Sequence, residues 1–559
     1  MNFLDWSVVL VYVVAMIGMA VYLGRGQKDE KDYYLGGNNV SYWAIGISTM
    51  ATQCSTNSLL GAPAFTIAAG GLLWLQYELA VPLAMIGVMV FLLPFFRKLK
   101  VVSVYEYLEA RFGVGTRTLL SVMFQFLRAF ATGVTVYGIS IVLQKILGIP
   151  FWVAVLALGV VTVVYDFFGG MKAVIYSDVI QMIILYGGIL LCLVYAVSLC
   201  GGWGEVWKWF PADKAPALDL QGHGLGDGKT FAFWPMLFGG LFLYMSYYGC
   251  DQTQVQRELS SKSMDDTNMS LFVNGILRFP LVITYCFVGV AIGAYMAKNP
   301  GFIQEITIDG KADYNLAVPM FCLAKLPHGV IGLIIVALFA AAMSSLDSTI
   351  NSLSATTIRD IIERFWVGGP LDEKRQLKWA RLTTVFWGVL CVIFSFFVGN
   401  ISKSIIESIN KIGSLAYGPI LATFLLGILT RRANGKGAVI GILAGFFSNV
   451  YLWVARPDIS WLWWNVFGCL ITFGVGYYAS LIFDLKLEVK SLGKDKWLAS
   501  PVVVSERAAD IEDLVFKLDA KKQFNYKRDW PKYYLILVGY FVFMLGMLKL
   551  IGSLKTILG

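Results

Sequence analysis

The chain has 559 residues, of which 57% are hydrophobic and only 14% charged, with a formal net charge of +9. Soluble domains carry roughly 25% charged residues, so this composition excludes an ordinary soluble protein and points to the lipid bilayer. The basic excess does not call for nucleic acid, because it gathers in the loops of one side of the predicted membrane topology.

The hydropathy pattern predicts about fourteen spanning helices, at roughly 6–24, 42–68, 74–96, 117–147, 150–168, 173–200, 231–250, 267–296, 329–357, 378–399, 404–430, 437–455, 460–483 and 533–550. The first run, "WSVVLVYVVAMIGMAVYLG", lacks a basic leader and a small-residue cleavage site, so it reads as a retained helix and not a signal peptide. With the N-terminus outside, the cytoplasmic loops hold roughly three times as many Lys and Arg as the outer ones. This predicts a multi-pass cell-membrane (plasma or inner) protein with both termini outside. "VYEYLEARFG" (104–113) reads as a short amphipathic helix at the cytoplasmic interface. The segment 201–230, rich in Gly, Pro and Trp, reads as an ordered outer cap. Residues 484–531 read as a solvated cytoplasmic linker. The eight cysteines fall mostly in apolar runs without paired spacing and read as packing residues. The two histidines, His223 and His328, lie in predicted loops, which argues against a histidine metal site.

Within the second span, "MATQCSTNSLL" (50–60) places seven consecutive polar side chains in what should be hydrocarbon. An unpaired polar group there costs several kcal/mol. Seven in a row point all around a helix, and Gly61 and Pro63 follow. The physical solution is a broken helix whose freed carbonyls line a buried cavity. The span "AAAMSSLDSTINSLSA" (340–355) supplies hydroxyl, carboxylate and amide oxygens, a set suited to hard cations such as sodium. Asp178 lies a few residues into its span, where an interfacial position would also serve. Arg128 falls about eleven residues, roughly 16 Å, into its span. Glu78 and Arg278 are further deep charges. These charges beside two oxygen-rich clusters predict a polar cavity, with Arg128 paired internally to Glu78 or to a helix C-terminus. An intramembrane aspartyl protease using Asp178 and Asp347 is a rival class, but neither residue lies in a GxGD motif and the oxygen clusters would have no use there. A sensor or ion-leak channel on the same architecture is a second rival, and no signalling domain is recognisable after the last span.

Several stretches together resemble the solute:sodium symporter family. They are "DYYLGGNNVSYWAIGIS" (32–48), "YEYLEARFG", "FFGGMKAVIYSDVIQ" (167–181), "YYGCDQTQVQRELSSK" (247–262), "AAAMSSLDSTINSLSA" and "INKIGSLAYGPILATFLLGILTRRANGKGAVIGILAG" (409–445). The resemblance implies an all-α integral membrane protein with a LeuT-type five-plus-five inverted-repeat core. Residues 1–40 would form an extra leading helix and cytoplasmic loop, 41–430 the ten-helix transport core, and 431–559 three additional helices with the linker. It implies a sodium site formed by the backbone carbonyls of Ala51, Cys54 and Ala341 and the hydroxyls of Ser344 and Ser345. Some members bind a second sodium, for which Asp178, Ser344, Asp347 and Ser348 are the matching positions. Asp347 departs from the Ser or Thr of the branches compared, and proton binding at one of two close carboxylates is an alternative use.

Within the family, the motifs look most like the sugar-transporting branch. Its sugar-contacting positions match Gln53, Ser58, Glu78, Arg278 and Asn410, and Tyr247 matches an aromatic gate. Ser58, Arg278 and Asn410 are near to, not identical with, the usual choices. Ser55 lies among them in the broken helix. Sialic-acid members share "PFFRKLK" and "YEYLEARF" and hold the carboxylate with an arginine of the third core helix, to which Arg128 lies one turn nearer the cytoplasm. The expectation is therefore a sodium-coupled importer of a small polar solute, a sugar or sugar-like compound, working by alternating access. The alternative is an importer of an organic anion such as sialic acid or a monocarboxylate. The partners expected are sodium, the solute and lipid, with no nucleic acid, no enzymatic activity and a monomeric state.

Overall fold

A computed structural model of the chain describes residues 2–53, 56–308, 310–367, 371–397, 405–483 and 526–558, and almost all of them are helical. Helices satisfy every backbone N–H and C=O internally, which hydrocarbon demands. Among the described residues, eleven helices are long and apolar enough to cross a bilayer. The first, α1 (Phe3–Gly24), leaves Leu10, Val11 and Val14 more than half exposed, an apolar face suited to lipid.

Within the expected span 42–68, α2 (Tyr42–Gln53) and α3 (Thr56–Ala68) are helical, and the break expected at residues 54–55 lies outside the described residues. A long helical segment, α4 (Gly71–Leu99), then crosses to the basic end. There α5 (Glu106–Phe112) does not float at the interface. Arg111 points inward and donates to the carbonyls of Gly427, Thr430 and Ala433 at 2.7–3.2 Å. It thereby answers the orphan carbonyls at the C-terminal end of a core helix, where a cation also suits the helix dipole. Next come α6 (Val114–Leu147) and α7 (Phe151–Cys200). At 50 residues α7 is about 75 Å long, too long for one crossing. It bends at Gly170, whose φ of 57° and ψ of −166° only glycine adopts readily, and where a Cβ would lie 2.6 Å from the Tyr33 carbonyl. The expected spans 150–168 and 173–200 are its two arms.

The outer segment 201–230 is ordered, with a short α8 (Trp203–Trp209). Lys214 donates its ammonium to the Ile67 carbonyl near the end of α3. Phe231 packs edge-on against Phe65 of α3 with ring centroids 4.7 Å apart. The cap thus pins the outer half of the broken helix. The span expected at 231–250 ends in a second break. Helix α9 (Gly240–Cys250) stops at Asp251, and α10 (Gln252–Leu259) starts again at once. Then follow α11 (Met264–Lys298), α12 (Val330–Thr356, its helical path running on to Val367), α13 (Glu373–Phe397), α14 (Ile405–Leu429), α15 (Gly435–Ala455), α16 (Trp461–Ile482) and α17 (Trp530–Leu558). Helix α12 packs along α6 and α7 and is buried over nearly its whole length. Helices α15 and α16 approach through small residues. A Cβ on Gly441 would meet the Thr472 carbonyl at 2.5 Å, closeness that only glycine allows. The linker expected at 484–531 lies outside the described residues up to 525.

At the basic end, carboxylates and guanidinium groups lock four elements together. Arg117 bridges Glu109 and Asp360, each at 2.6 Å, and Arg364 reaches Glu109 at 3.1 Å. Arg359 joins Glu363 at 2.8 Å to Glu30, in the short helix Glu30–Leu35. Glu30 is buried with one carboxylate oxygen unbonded. Burial pushes its carboxyl up from 4.5 to about 7, against the attraction of Arg359 and with repulsion from Glu363, Glu106 and Asp29. A carboxyl that holds its proton more tightly folded than unfolded stabilises the fold fully below pH 4.5, and this contribution is lost as pH rises towards about 7. Thermal unfolding in nanodiscs should therefore show stability falling by at most about 3 kcal/mol across that window. Glu30→Gln should flatten the dependence, and an unchanged pH profile in that variant would contradict the assignment.

Candidate functional site

Thr52, Gln53 and Ser58, either side of the expected first break, and Leu243, Tyr244 and Tyr247 of α9 border one cleft of about 930 Å³, counting the solvent space open to it. Such a volume suits a small organic molecule. Its walls bring together Gln53 and Ser58 from the first break, Glu78 from α4, Arg128 from α6, Tyr247 from α9, Arg278 from α11 and Asn410 from α14. All these were singled out in the sequence. Of the expected solute residues only Ser55 lies outside the described residues. Thr132, Thr135, Thr349, Trp74, Tyr77, Tyr244 and Tyr417 complete a wall of hydroxyls and aromatic faces that sequence reasoning passed over.

The deep charges pair differently from expectation. Glu78 takes Arg278, with Nε to Oε2 at 2.6 Å and a second contact at 3.2 Å, while the guanidinium stacks over the Tyr244 ring at 5.4 Å. Arg128 does not reach Glu78 but is held where α9 ends, at a helix C-terminus, the other place expected. Its partner is Asp251 at 2.7 Å, with Thr253 accepting a further hydrogen bond at 3.0 Å and the Tyr247 ring 5.0 Å away. Asp251 sits at the second break for two reasons. One oxygen accepts the Thr253 backbone N–H at 2.8 Å and so caps α10, and the other holds Arg128. The aspartate in "YYGCDQTQVQR" was the available signal: a charge directly after an apolar helix.

At the first break, Ser345 on α12 donates towards the Thr52 carbonyl at 3.5 Å and also borders the cleft. Ala51 and Ala341 are buried in these two helices, and Cys54 lies outside the described residues. Deeper along α12, Ser344 donates to one oxygen of Asp178, and Ser48 donates to the other at 2.5 Å. Asp178 is fully buried among protein groups. The Ser348 hydroxyl bonds Asp347 at 2.9 Å, and the second Asp347 oxygen has no protein partner. Asp178, Ser344, Asp347 and Ser348 therefore do meet. Sequence reasoning missed the cation among them: Arg257 of α10 donates to Ser348 and lies 3.7 Å from Asp178. Neither aspartate of the rival protease pair is free to act as a dyad with the other. The one GxGD match, Gly224 to Asp227, lies in the outer cap, where Asp227 accepts the His223 backbone N–H at 2.7 Å.

The sodium:solute symporter family profile matches residues 33–445. The chain is similar to the sodium/sialic acid symporter NanT of Aliivibrio fischeri, at 31% identity over 87% of this chain and 94% of the relative. It is 29% identical to human sodium-coupled monocarboxylate transporter 1, over 81% of this chain and 73% of that protein. Among solved structures, a substrate-bound, outward-open Na+-coupled sialic acid symporter superposes with a TM-score of 0.76 at 28% identity, covering 86% of this chain and 98% of the other. The nucleobase-cation-symport-1 transporter Mhp1, at 10% identity and a TM-score of 0.52 over 82% of this chain and 95% of the other, shares the fold alone.

Removing one member of a buried ion pair leaves its partner uncompensated, at about 3–5 kcal/mol. Arg278→Ala and Glu78→Ala should each lower thermal stability in detergent strongly. The double variant should lose clearly less than the sum, and strict additivity would show that the two charges do not depend on each other.

Proposed function

This chain belongs to the sodium:solute symporter family, and we propose that the solute it imports with sodium is a small organic carboxylate. The observation that carries this reading is the charge of the cleft. Its lining holds two guanidinium groups, Arg128 and Arg278, but one carboxylate, Glu78, and Glu78 is already committed to Arg278. Positive charge is costly in this setting unless it is paired, and Asp251, which pairs with Arg128, stands outside the cleft lining. A planar guanidinium suits a carboxylate better than an ammonium would. The relatives named for sialic acid and monocarboxylates agree with it. A neutral sugar is the second reading, favoured by one fact: Asp251 already neutralises Arg128 from the side, leaving hydroxyl and aromatic walls for a polyol.

In this reading sodium sits at the first break. The carbonyls of Ala51, Cys54 and Ala341 and the hydroxyls of Ser344 and Ser345 replace its water. Bound there, the ion ties the freed end of α2 to α12 and so shapes the cleft wall that Gln53 and Ser58 present. Release of sodium into a low-sodium compartment loosens that tie. Coupling requires only that sodium and solute bind the two states with different affinity. A second sodium has a place near Asp178, Ser344, Asp347 and Ser348. Arg257 lies beside Asp178, while one oxygen of the nearby Asp347 has no protein partner, so one further positive charge is accommodated, as sodium or as a proton on one carboxylate.

Two experiments test these assignments. Ser345→Ala should raise the sodium concentration for half-maximal uptake by about tenfold, as loss of one ligand to an ion would, while leaving folding intact. Wild-type sodium dependence in this variant would remove Ser345 from the site. The solute class is read from proteoliposome uptake of N-acetylneuraminate, pyruvate and glucose with and without a sodium gradient, in wild type, Arg128→Lys and Arg128→Ala. The carboxylates should be driven by sodium and be lost in both variants. Sodium-driven glucose uptake without carboxylate uptake would establish the neutral reading instead.

A further inference from the structure

A second cavity, of about 450 Å³ counting open space, lies next to the solute cleft. It is built from the same three helices at positions displaced towards the basic end. On α6 the cleft uses Arg128, Ala131, Thr132 and Thr135, while the second cavity uses Phe124, Leu127, Arg128 and Ala131. On α9 the shift is from Leu243, Tyr244 and Tyr247 to Ser246 and Cys250. On α14 it is from Asn410 and Tyr417 to Gly413, Ala416, Tyr417 and Ile420. Tyr105, at the basic end just before α5, closes it. Cleft and chamber are therefore successive stages along one route. Arg128, Ala131 and Tyr417 border both, and the guanidinium of Arg128 and the rings of Tyr247 and Tyr417, 6.2 Å apart, form the partition.

The chamber walls are mainly apolar, yet three polar groups around it lack any protein partner. They are the Tyr105 hydroxyl, the Ser246 hydroxyl and the Arg128 Nε. Tyr105 and Ser246 are at most 1% exposed. All three can donate a hydrogen bond, and Arg128 can only donate. Buried donors without acceptors are costly, and three around one cavity define a site for an acceptor-rich ligand. The one carboxylate in the lining, Asp251, already accepts from Arg128 and Thr253.

We propose that this inner chamber is a second, transient subsite for the solute's carboxylate, entered after it passes Arg128 and Tyr247 on its way out of the cleft. The identity of the solute rests on the carboxylate reading above, but the donor set is independent of it. Arg128 serves both stages. Its Nε lies on the partition, so a carboxylate can be handed across without leaving a hydrogen-bond donor.

Cys250, a buried free thiol in the chamber wall, is a native reporter. Purified protein in nanodiscs, with sodium present, is treated with the anionic sulfonatoethyl or the cationic trimethylammonioethyl methanethiosulfonate, and labelling of Cys250 is read by peptide mass. The sulfonate should react about tenfold faster, the effect of one or two added donors on an anion. In the Tyr105→Phe/Ser246→Ala double variant, which keeps the cavity nearly the same size, this preference should shrink at least about threefold. That variant should also bind N-acetylneuraminate or pyruvate at the cleft with unchanged affinity but turn over several-fold more slowly. Equal reactivity of the two reagents, no labelling by either, or a preference and turnover unchanged in the double variant would each overturn the proposal. If the wild-type cleft binds no carboxylate, the solute reading falls alone, and the reagent comparison still decides whether the chamber selects anions.

Discussion

A backbone carbonyl or N–H freed inside a membrane has no water to turn to, and the architecture of this transporter follows from that constraint. One core helix is interrupted at Asp251, and the interruption expected in the helix five spans earlier falls at residues 54–55, outside the described residues. Each interruption must be answered from elsewhere in the bundle. Ser345 of α12 reaches the Thr52 carbonyl at the first. Asp251 caps the Thr253 N–H at the second while its other oxygen holds Arg128. The outer cap fixes α3 through Lys214 and Phe231.

Helix α12 is the element against which these groups are satisfied. Its polar residues recur at helical spacing and meet a different partner at each turn: Ser344 meets Asp178, Ser348 meets Arg257, Asn351 receives Gln256 and bonds Asp166, and Ser354 meets Tyr34. A helix that bonds four neighbours along its length cannot shift without exchanging those partners. The row continues to the basic end, where it meets the Arg359 and Arg117 networks, as a continuous set of hydrogen-bonded pairs, the kind of element that has discrete arrangements.

Charge decides the character of the cleft more than shape does. Each deep guanidinium has its own carboxylate, and each pairing is partly open to the cavity. Arg278 and Glu78 form a closed bidentate pair, well suited to shaping a wall. Arg128, with an unbonded Nε and a single carboxylate partner, retains capacity for a second acceptor. The two arginines of the same cleft thus differ in how far their hydrogen-bonding capacity is spent.

Much of this was legible in the sequence, because the relevant physics is local. Runs of about twenty apolar residues specify spans, and seven polar residues in one of them specify a break, whatever surrounds them. The same logic marked Gln53, Ser58, Glu78, Arg128, Tyr247, Arg278 and Asn410, and the fold gathers all seven around one cavity. What the linear pattern could not decide was which charge answers which. Glu78 and Arg278 lie 200 residues apart, and Arg128 and Asp251 are on separate helices. A buried charge takes the nearest opposite charge in space, and spatial proximity exists only after the helices have packed. For the same reason Arg257 entered the Asp178 cluster unannounced. Class, order of helices and the inventory of polar residues belong to the sequence. Their pairing, and therefore the electrostatics of the cleft and the chamber beyond it, was settled only by the tertiary structure, because electrostatic energy in a low-dielectric interior depends on distances that the chain order does not contain.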